Sequence, residues 1–353
     1  MALLHTGITW SAVGEAVLIF WLVWWGWGQF TWALNAADTR HKVVELGTLG
    51  AGLIAFAMAV AIPDAFGERA LWFAITYVMV RLIGLGLSIW ASTTTANQSR
   101  VVISFSLASI VGLVLVIAGG LVDGAAQYWL WGGAMFFDLI ASVIGGNAGD
   151  WRIQVDHFAE RHGLFVIIVL GESLIFAASG VTGREWGTSL SLVAITALIL
   201  TFTLWWSYFA HAKDRLEAAI EAKGTKNVTN LMRDVFSMLH IPMIMGLVAI
   251  AVAIEEAIAH PDAVIHTEVR VALGVGILMF VASMGLAIKR AGGALPIPRV
   301  VISVITAVAI VFVDGVDAYI TILIGLIGLI AIGVIEHVTD SSAASESLVE
   351  TAE

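Results

Sequence analysis

Apolar runs of about twenty residues recur along the whole chain, and they constrain the fold more than any other feature. A helix of about 20 apolar residues is long enough to cross the ~30 Å hydrocarbon core of a bilayer. We therefore predict an all-α fold, a polytopic membrane helix bundle with about 11 transmembrane helices. The predicted spans cover residues 10–34, 43–62, 70–91, 99–121, 125–145, 161–180, 188–212, 229–257, 266–289, 299–316 and 318–336.

The composition agrees with a chain that is surrounded by lipid. Of its 353 residues, 59% are hydrophobic and only 12% are charged, whereas a soluble domain carries about 25% charged residues. The chain has no cysteine, which excludes disulfides and thiolate metal sites. It has no basic domain either, so we expect no nucleic-acid partner. We expect the lipid bilayer as a partner, and we expect no cofactor.

The lysines and arginines indicate how the spans are oriented. Alternating the loops places 13 of the 17 Lys and Arg residues on one side and three on the other, with Arg81 inside a span. Positive charge accumulates in cytoplasmic loops. We therefore predict a multi-pass protein of the cell (inner) membrane with a cytoplasmic C-terminus and an extracytoplasmic Met1. The sequence leaves the oligomeric state open.

Short motifs recur in the two halves of the chain. The segment Arg100-Val-Val-Ile-Ser returns as Arg299-Val-Val-Ile-Ser, and each copy opens a span. We predict two parallel six-helix repeats, 1–150 and 151–340, with the first helix of the first repeat absent. A disordered acidic cytoplasmic tail, 341–353, is expected to follow. The alternative is that segments rich in Val, Ile and Leu match one another by chance.

One block of residues resembles a known family. The stretch Asp156-His-Phe-Ala-Glu-Arg-His-Gly-Leu-Phe, followed by Ile-Val-Leu-Gly-Glu-Ser, resembles the signature of the bacterial low temperature requirement protein A family. The stretches WWGWGQFTW and IPDAFGER are similar to its second span and to the loop after its third. The resemblance covers nearly the whole chain and implies a membrane protein. The family is named for a growth phenotype, so the resemblance supplies no biochemical activity.

Four ionisable residues lie at similar depth in their predicted spans. Glu172, Arg81, His240 and Asp138 stand 11 to 13 residues from a span start, or roughly 15–20 Å at 1.5 Å per residue. We predict that they meet inside the bundle, with Ser173 beside Glu172. One arginine with two carboxylates leaves an excess negative charge, which a bound proton or cation would relieve. The alternative is a closed arginine–carboxylate clamp that only fixes helix packing.

A proline follows one of these residues. Pro242 stands two residues after His240, and its missing N–H predicts a helix kink that frees the carbonyl of Met238. A free carbonyl beside a histidine would make a polar pocket, although a neutral core histidine is an equal alternative. The nine histidines show no HxxxH pair within a span, so we predict no metal site.

Charged residues crowd the cytoplasmic start of the sixth span. They form either a gate or a solvated amphipathic lead-in to the helix, and the second interpretation is favoured. The residues of this cluster are His157, Glu160, Arg161 and His162.

The pattern favours a secondary transporter or ion-conducting protein, with a small ion or a proton as its substrate and proton coupling through Glu172. Two other classes stay open. A membrane-embedded enzyme acting on a lipid-linked substrate would depend on the charged cluster at the start of the sixth span. A sensor or assembly factor would need no transported substrate.

Overall fold

Helices dominate the computed structural model, which describes residues 9–92, 96–147, 153–182, 185–212 and 228–350, with Leu216 and Ile220. Within these ranges the β-structure is limited to an isolated bridge between Val264 and Asp317. In chain order the helices are α1 Trp10–Ala36, α2 Lys42–Ala61, α3 Ala70–Ser92, α4 Ala96–Gly119, α5 Ala125–Asn147, α6 Val155–Val181, α7 Thr188–Trp206, the π-helix π1 Ser207–Ala212, α8 Val228–Met232, the π-helix π2 Arg233–Met238, α9 His240–Ala259, α10 Thr267–Ala291, α11 Ile297–Phe312 and α12 Ala318–Glu350.

The chain forms two compact units. The first contains residues 1–161 and 225–233, and the second contains residues 162–224 and 234–353. The sequence divides the predicted repeats at residue 150 instead, and the equivalence of their helices stays a prediction.

In the first unit α3 is the central helix, because it packs against α1, α2 and α4. Of the most apolar part of α3, 56% is buried, against 17% for α2. The face of α2 that carries Leu46, Leu49 and Leu53 is exposed, and its leucines suit contact with lipid. A polar side chain on the inner face of α3 is therefore enclosed by protein.

In the second unit α10 packs between α9 and α11, and α12 packs against α7 and α11. The α9–α10 contact depends on two glycines. A Cβ added to Gly246 would stand 2.5 Å from the carbonyl oxygen of Gly276, and one added to Gly276 would stand 2.8 Å from the carbonyl oxygen of Gly246. Small residues at such a contact let helix backbones approach closely.

The prediction of an all-helical protein with many apolar helices is confirmed. Among the described residues, nine helices are long and apolar enough to cross a membrane, and α11 is a shorter apolar helix. Helix α6, which carries Glu172, is 27 residues long but is not one of the nine, so its crossing stays a prediction.

Helix α12 extends beyond its apolar part. It continues without a break from Ala318 to Glu350, and the disorder expected over 341–353 stays a prediction. The tail contains Ala, Glu and Leu, which are good helix formers, and it contains no Gly or Pro. Helix α12 therefore meets no stop signal where its apolar part ends.

Candidate functional site

The first unit contains a fully buried arginine at the middle of its central helix. Arg81 stands 11 residues after Ala70 in the 23-residue helix α3, and its exposed fraction is 0%. Tyr77 precedes it by one helical turn and is 1% exposed. Residues four apart share a face of a helix, so both side chains point away from the exposed surface of α3.

Three side chains accept hydrogen bonds from the Arg81 guanidinium. Its Nη1 donates to the Tyr77 hydroxyl at 2.6 Å and to Asp138 Oδ1 of α5 at 3.2 Å. Its Nε donates to Gln29 Oε1 of α1. Gln29 in turn donates from Nε2 to the backbone carbonyl of Arg81 at 3.0 Å. Three helices thus hold one guanidinium.

Glycine makes room for the Gln29 contact. A Cβ added to Gly84, three residues after Arg81, would stand 2.9 Å from Gln29 Nε2. Any larger residue at this position would push the amide away from α3. Gln29 is 5% exposed, so its amide is held inside the unit.

Asp138 is the anionic partner in this cluster, and it is 2% exposed. Only one of its carboxylate oxygens contacts Arg81, through a single nitrogen. The Arg81 Nη2 atom has no hydrogen-bond partner among the described residues. Because a buried charged donor without a partner is costly, this nitrogen is the unsatisfied part of the cluster.

A second buried arginine–carboxylate pair lies in the second unit. Arg299 of α11 is 1% exposed, and its Nη1 donates to Glu336 Oε1 at 2.9 Å and to Oε2 at 3.2 Å. Its Nη2 donates to the Ser207 hydroxyl at 2.7 Å and contacts the Met284 sulfur at 3.4 Å. Both carboxylate oxygens and both Nη atoms are therefore occupied.

The buried His240 of the second unit lies between two π-helices. Its Nε2 is 3.1 Å from the Tyr208 hydroxyl of π1, and its Nδ1 is 3.0 Å from the carbonyl oxygen of Val235 of π2. The rings of His162 and Phe236 lie 5.2 Å from its ring. Single π-turns occur frequently at functional sites, but here both ring nitrogens already have partners.

Comparison with known proteins now identifies the family. The model of the bacterial low temperature requirement A protein (LtrA) family matches residues 2–335. The chain belongs to the LtrA family. The resemblance seen in the sequence is thus confirmed over nearly the whole chain.

A relative of this LtrA protein is the uncharacterized protein RA0937 of Rhizobium meliloti (strain 1021). The two are 26% identical over 267 residues, which is 70% of this chain and 62% of the relative. The chain thus spans less than two thirds of the length of that relative. No solved structure matches the chain.

The sequence prediction groups Glu172 with the other ionisable residues. In this LtrA protein the Glu172 side chain is exposed, and its carboxylate has no hydrogen-bond or ion-pair partner among the described residues. The neighbouring Ser173 is 5% exposed, and its hydroxyl donates to the Val169 carbonyl of its own helix at 3.0 Å. In the second unit, the His240 ring nitrogens contact Tyr208 and Val235 instead of Glu172. The prediction that Glu172 lies near Arg81 or Asp138 stays a prediction.

The charged cluster at the start of α6 divides into exposed and buried members. His157 Nδ1 lies 3.7 Å from Glu160 Oε2, and their side chains are 64% and 69% exposed. Arg161 donates to the carbonyl oxygen of Thr31 at 3.3 Å, while His162 is 1% exposed. Two of the four residues are thus solvated.

Pro242 lies in the first turn of α9, where the missing N–H removes no helical hydrogen bond. The helix geometry changes just before it, because π2 ends at Met238 and the amide of Leu239 donates to Asp234 O, five residues back, at 3.0 Å. The predicted interruption and the π-helix thus fall in the same segment.

Sequence reasoning missed Gln29, Tyr208 and the Arg299–Glu336 pair as site residues. Arg299 opens a predicted span, and a basic residue at such a position indicates a cytoplasmic loop charge. The available signal was Glu336, a carboxylate near the end of an otherwise apolar run. Such a residue needs a partner.

Proposed function

We propose that this LtrA protein is a secondary transporter or ion-conducting protein, and that Arg81 and Asp138 form its substrate site. One observation carries the proposal. Arg81 is fully buried at the middle of a helix long enough to cross a membrane, and its Nη2 atom lacks a partner among the described residues. Ionised residues at such depth are costly and typically mark ion pathways, proton relays or substrate sites.

The Arg299–Glu336 pair serves as an example of a structural clamp, with which the proposed Arg81–Asp138 site can be compared. A clamp gains stability when its carboxylate is held through both oxygens, as Glu336 is by Arg299. The Arg81 pair is held by a single contact between Nη1 and Oδ1. An incompletely satisfied buried charge suits a group that must exchange a bound ion.

Asp138 is the protonatable group of the proposed site, because it is the carboxylate in contact with Arg81. Glu172 acts in this proposal as a second proton acceptor, and its exposed carboxylate is suited to exchange with the surroundings. His240 has both ring nitrogens occupied, so we assign it and Ser173 to helix packing.

We also propose that the protein resides in the inner membrane with a cytoplasmic C-terminus, and that its halves are parallel repeats. The distribution of Lys and Arg supports the orientation. The spacing of the two buried carboxylates supports the repeat. Asp138 and Glu336 are 336 − 138 = 198 residues apart, close to the offset of 199 between Arg100 and Arg299.

The proposal is tested by flux measurements in proteoliposomes that contain a pH-sensitive dye. We expect the wild-type protein to move protons when a gradient of a small ion is imposed, and the Asp138→Asn variant to lose this movement. Glu172→Gln should slow it, whereas Glu45→Gln, which changes an exposed carboxylate, should leave it unchanged. Equal dye responses from wild-type, Asp138→Asn and protein-free vesicles under every gradient would reject transport through this site.

A further inference from the structure

The Arg81 cluster has the charge and the donor arrangement of an anion site. Arg81 and Asp138 together carry no net charge, so the cluster has no excess negative charge that would attract a cation. Its unsatisfied atom is the Nη2 nitrogen, which carries only N–H donors. Such a nitrogen recognises an acceptor oxygen, and a guanidinium recognises carboxylates and oxyanions best.

The charge of the cluster also limits the charge of the ligand. An anion bound to Arg81 while Asp138 stays ionised would leave one uncompensated negative charge in a dry environment, which is strongly unfavourable. A proton on Asp138 removes that charge. A single guanidinium and a single carboxylate can therefore neutralise one negative charge, which points to a monovalent ligand.

We propose that the Arg81 Nη2 atom binds a small monovalent carboxylate or oxyanion, and that Asp138 takes up one proton from the medium when this anion binds. This inference rests on the proposed function, since it names the substrate class of the same site. The charges balance, because the anion replaces the Asp138 carboxylate as the counterion of Arg81. The protonated carboxyl group then becomes a hydrogen-bond donor to the anion. Movement of the loaded site across the membrane transfers no net charge.

Among the described residues, the ionisable groups that interact with Asp138 are Arg81 and Tyr77 of α3, which belong to the cluster. Two other ionisable groups contact α5 at different residues. Glu15 of α1 accepts a hydrogen bond from the Tyr128 hydroxyl at 2.5 Å, and Arg233 of π2 donates to the carbonyl oxygen of Ser142 at 3.4 Å.

Proton-linked anion binding has a defined signature. If one proton is taken up for each anion, the apparent Kd rises about tenfold per pH unit over the range in which Asp138 is ionised before binding. If the carboxylate cannot titrate, the Kd becomes independent of pH. Nitrate and acetate are suitable probes between pH 6 and 8, because neither changes its own charge there.

The test measures the binding of sodium nitrate and sodium acetate to the purified full-length protein in detergent, through the shift of its thermal unfolding. We expect saturable stabilisation of the wild-type protein, with the tenfold loss of affinity per pH unit. Asp138→Asn should still bind, without pH dependence, and Arg81→Gln should not bind. Arg81→Met, which also removes the charge and the N–H donors, provides a second loss-of-site variant if Arg81→Gln does not fold. Arg40→Gln, at an exposed arginine outside the site, should behave like the wild type.

The outcomes separate this inference from the proposed function. Absence of saturable stabilisation by either probe, or binding that persists in Arg81→Gln or Arg81→Met, overturns the anion site. Saturable binding with the same Kd at every pH overturns the proton uptake. If proton flux is observed in vesicles without any anion binding, the transport proposal stands and the inference fails. If anions bind but the vesicles show no flux, the inference stands and the transport proposal fails.

Discussion

The two buried arginines of this LtrA protein differ in how they hold their carboxylates. Arg299 has both oxygens of Glu336 on one nitrogen and Ser207 on another. Arg81 has one oxygen of Asp138 at 3.2 Å and leaves Nη2 without a partner among the described residues. Similar side chains at similar burial thus form a closed pair in one unit and an open pair in the other.

Their positions along the helices differ as well. Arg299 stands two residues after the start of α11, and Glu336 stands 18 residues after the start of α12. Arg81 and Asp138 stand 11 and 13 residues into α3 and α5, each 23 residues long. We expect the pair that is held through both carboxylate oxygens to fix packing, and the pair at mid-helix that is held through one oxygen to exchange its counterion. In this interpretation, the way in which the carboxylate is held separates the two roles more than burial does.

The largest effect is expected at the closed pair. Glu336→Gln leaves Arg299 buried without a counterion, and breaking a buried pair in this way costs ~3–5 kcal/mol. The measurement is thermal unfolding of the purified variant in detergent, with Glu45→Gln as the matched exposed control. Added nitrate or acetate should not restore stability, because the Nη2 atom of Arg299 already has Ser207 as its partner. Restoration by anions would show that the Arg299 pair is also open.

A smaller loss is expected from Asp138→Asn at the open pair. The oxygens of Tyr77 and Gln29 still accept from Arg81, so the loss is that of a hydrogen bond to a charged group, ~1.5–3 kcal/mol. In contrast to Glu336→Gln, this variant should regain stability when nitrate or acetate is added, and its unfolding temperature reports this gain. If anions fail to stabilise Asp138→Asn, the comparison between an open and a closed pair breaks down.

The smallest effect is expected at a third pair, Arg270–Asp314, in which the aspartate is exposed. Arg270 Nη1 donates to Asp314 Oδ1 at 2.8 Å, and this hydrogen bond holds the pKa of Asp314 below its usual range. A carboxyl group with a lowered pKa stabilises the fold above its unfolded value, about 3.9, and loses this contribution as the pH falls through the folded pKa. Thermal unfolding of wild-type protein and Asp314→Asn should therefore differ slightly at pH 6 and converge toward pH 3. A difference that grows on acidification would contradict this assignment.

Sequence reasoning predicted the helices well, because apolar runs of membrane length are long and bounded by charges. It also predicted that Asp138 could be a partner of Arg81, because residue counts place both at a similar depth in their spans. It could not predict which face of a uniformly apolar helix is buried. Glu172 and Ser173 are neighbours about 100° apart around α6, and the serine is the buried one.

The closed pair was beyond the sequence for a different reason. Arg299 lies near the start of α11, whereas Glu336 lies near the end of the apolar part of α12, which covers Ala318–Val338. The packing of α11 against α12 brings the two residues together. The role of Gln29 was not predictable either, because this residue is uncharged and lies within a tryptophan-rich stretch.

The most direct test of the open Arg81 pair is the number of protons taken up when an anion binds. Sodium nitrate is added at saturating concentration to purified protein in weakly buffered detergent at pH 7, and the pH change of the medium is measured. The account predicts the uptake of about one proton per bound nitrate by the wild-type protein and none by Asp138→Asn, with Glu336→Gln behaving like the wild type. Saturable nitrate binding without proton uptake, or equal uptake by Asp138→Asn, would contradict it.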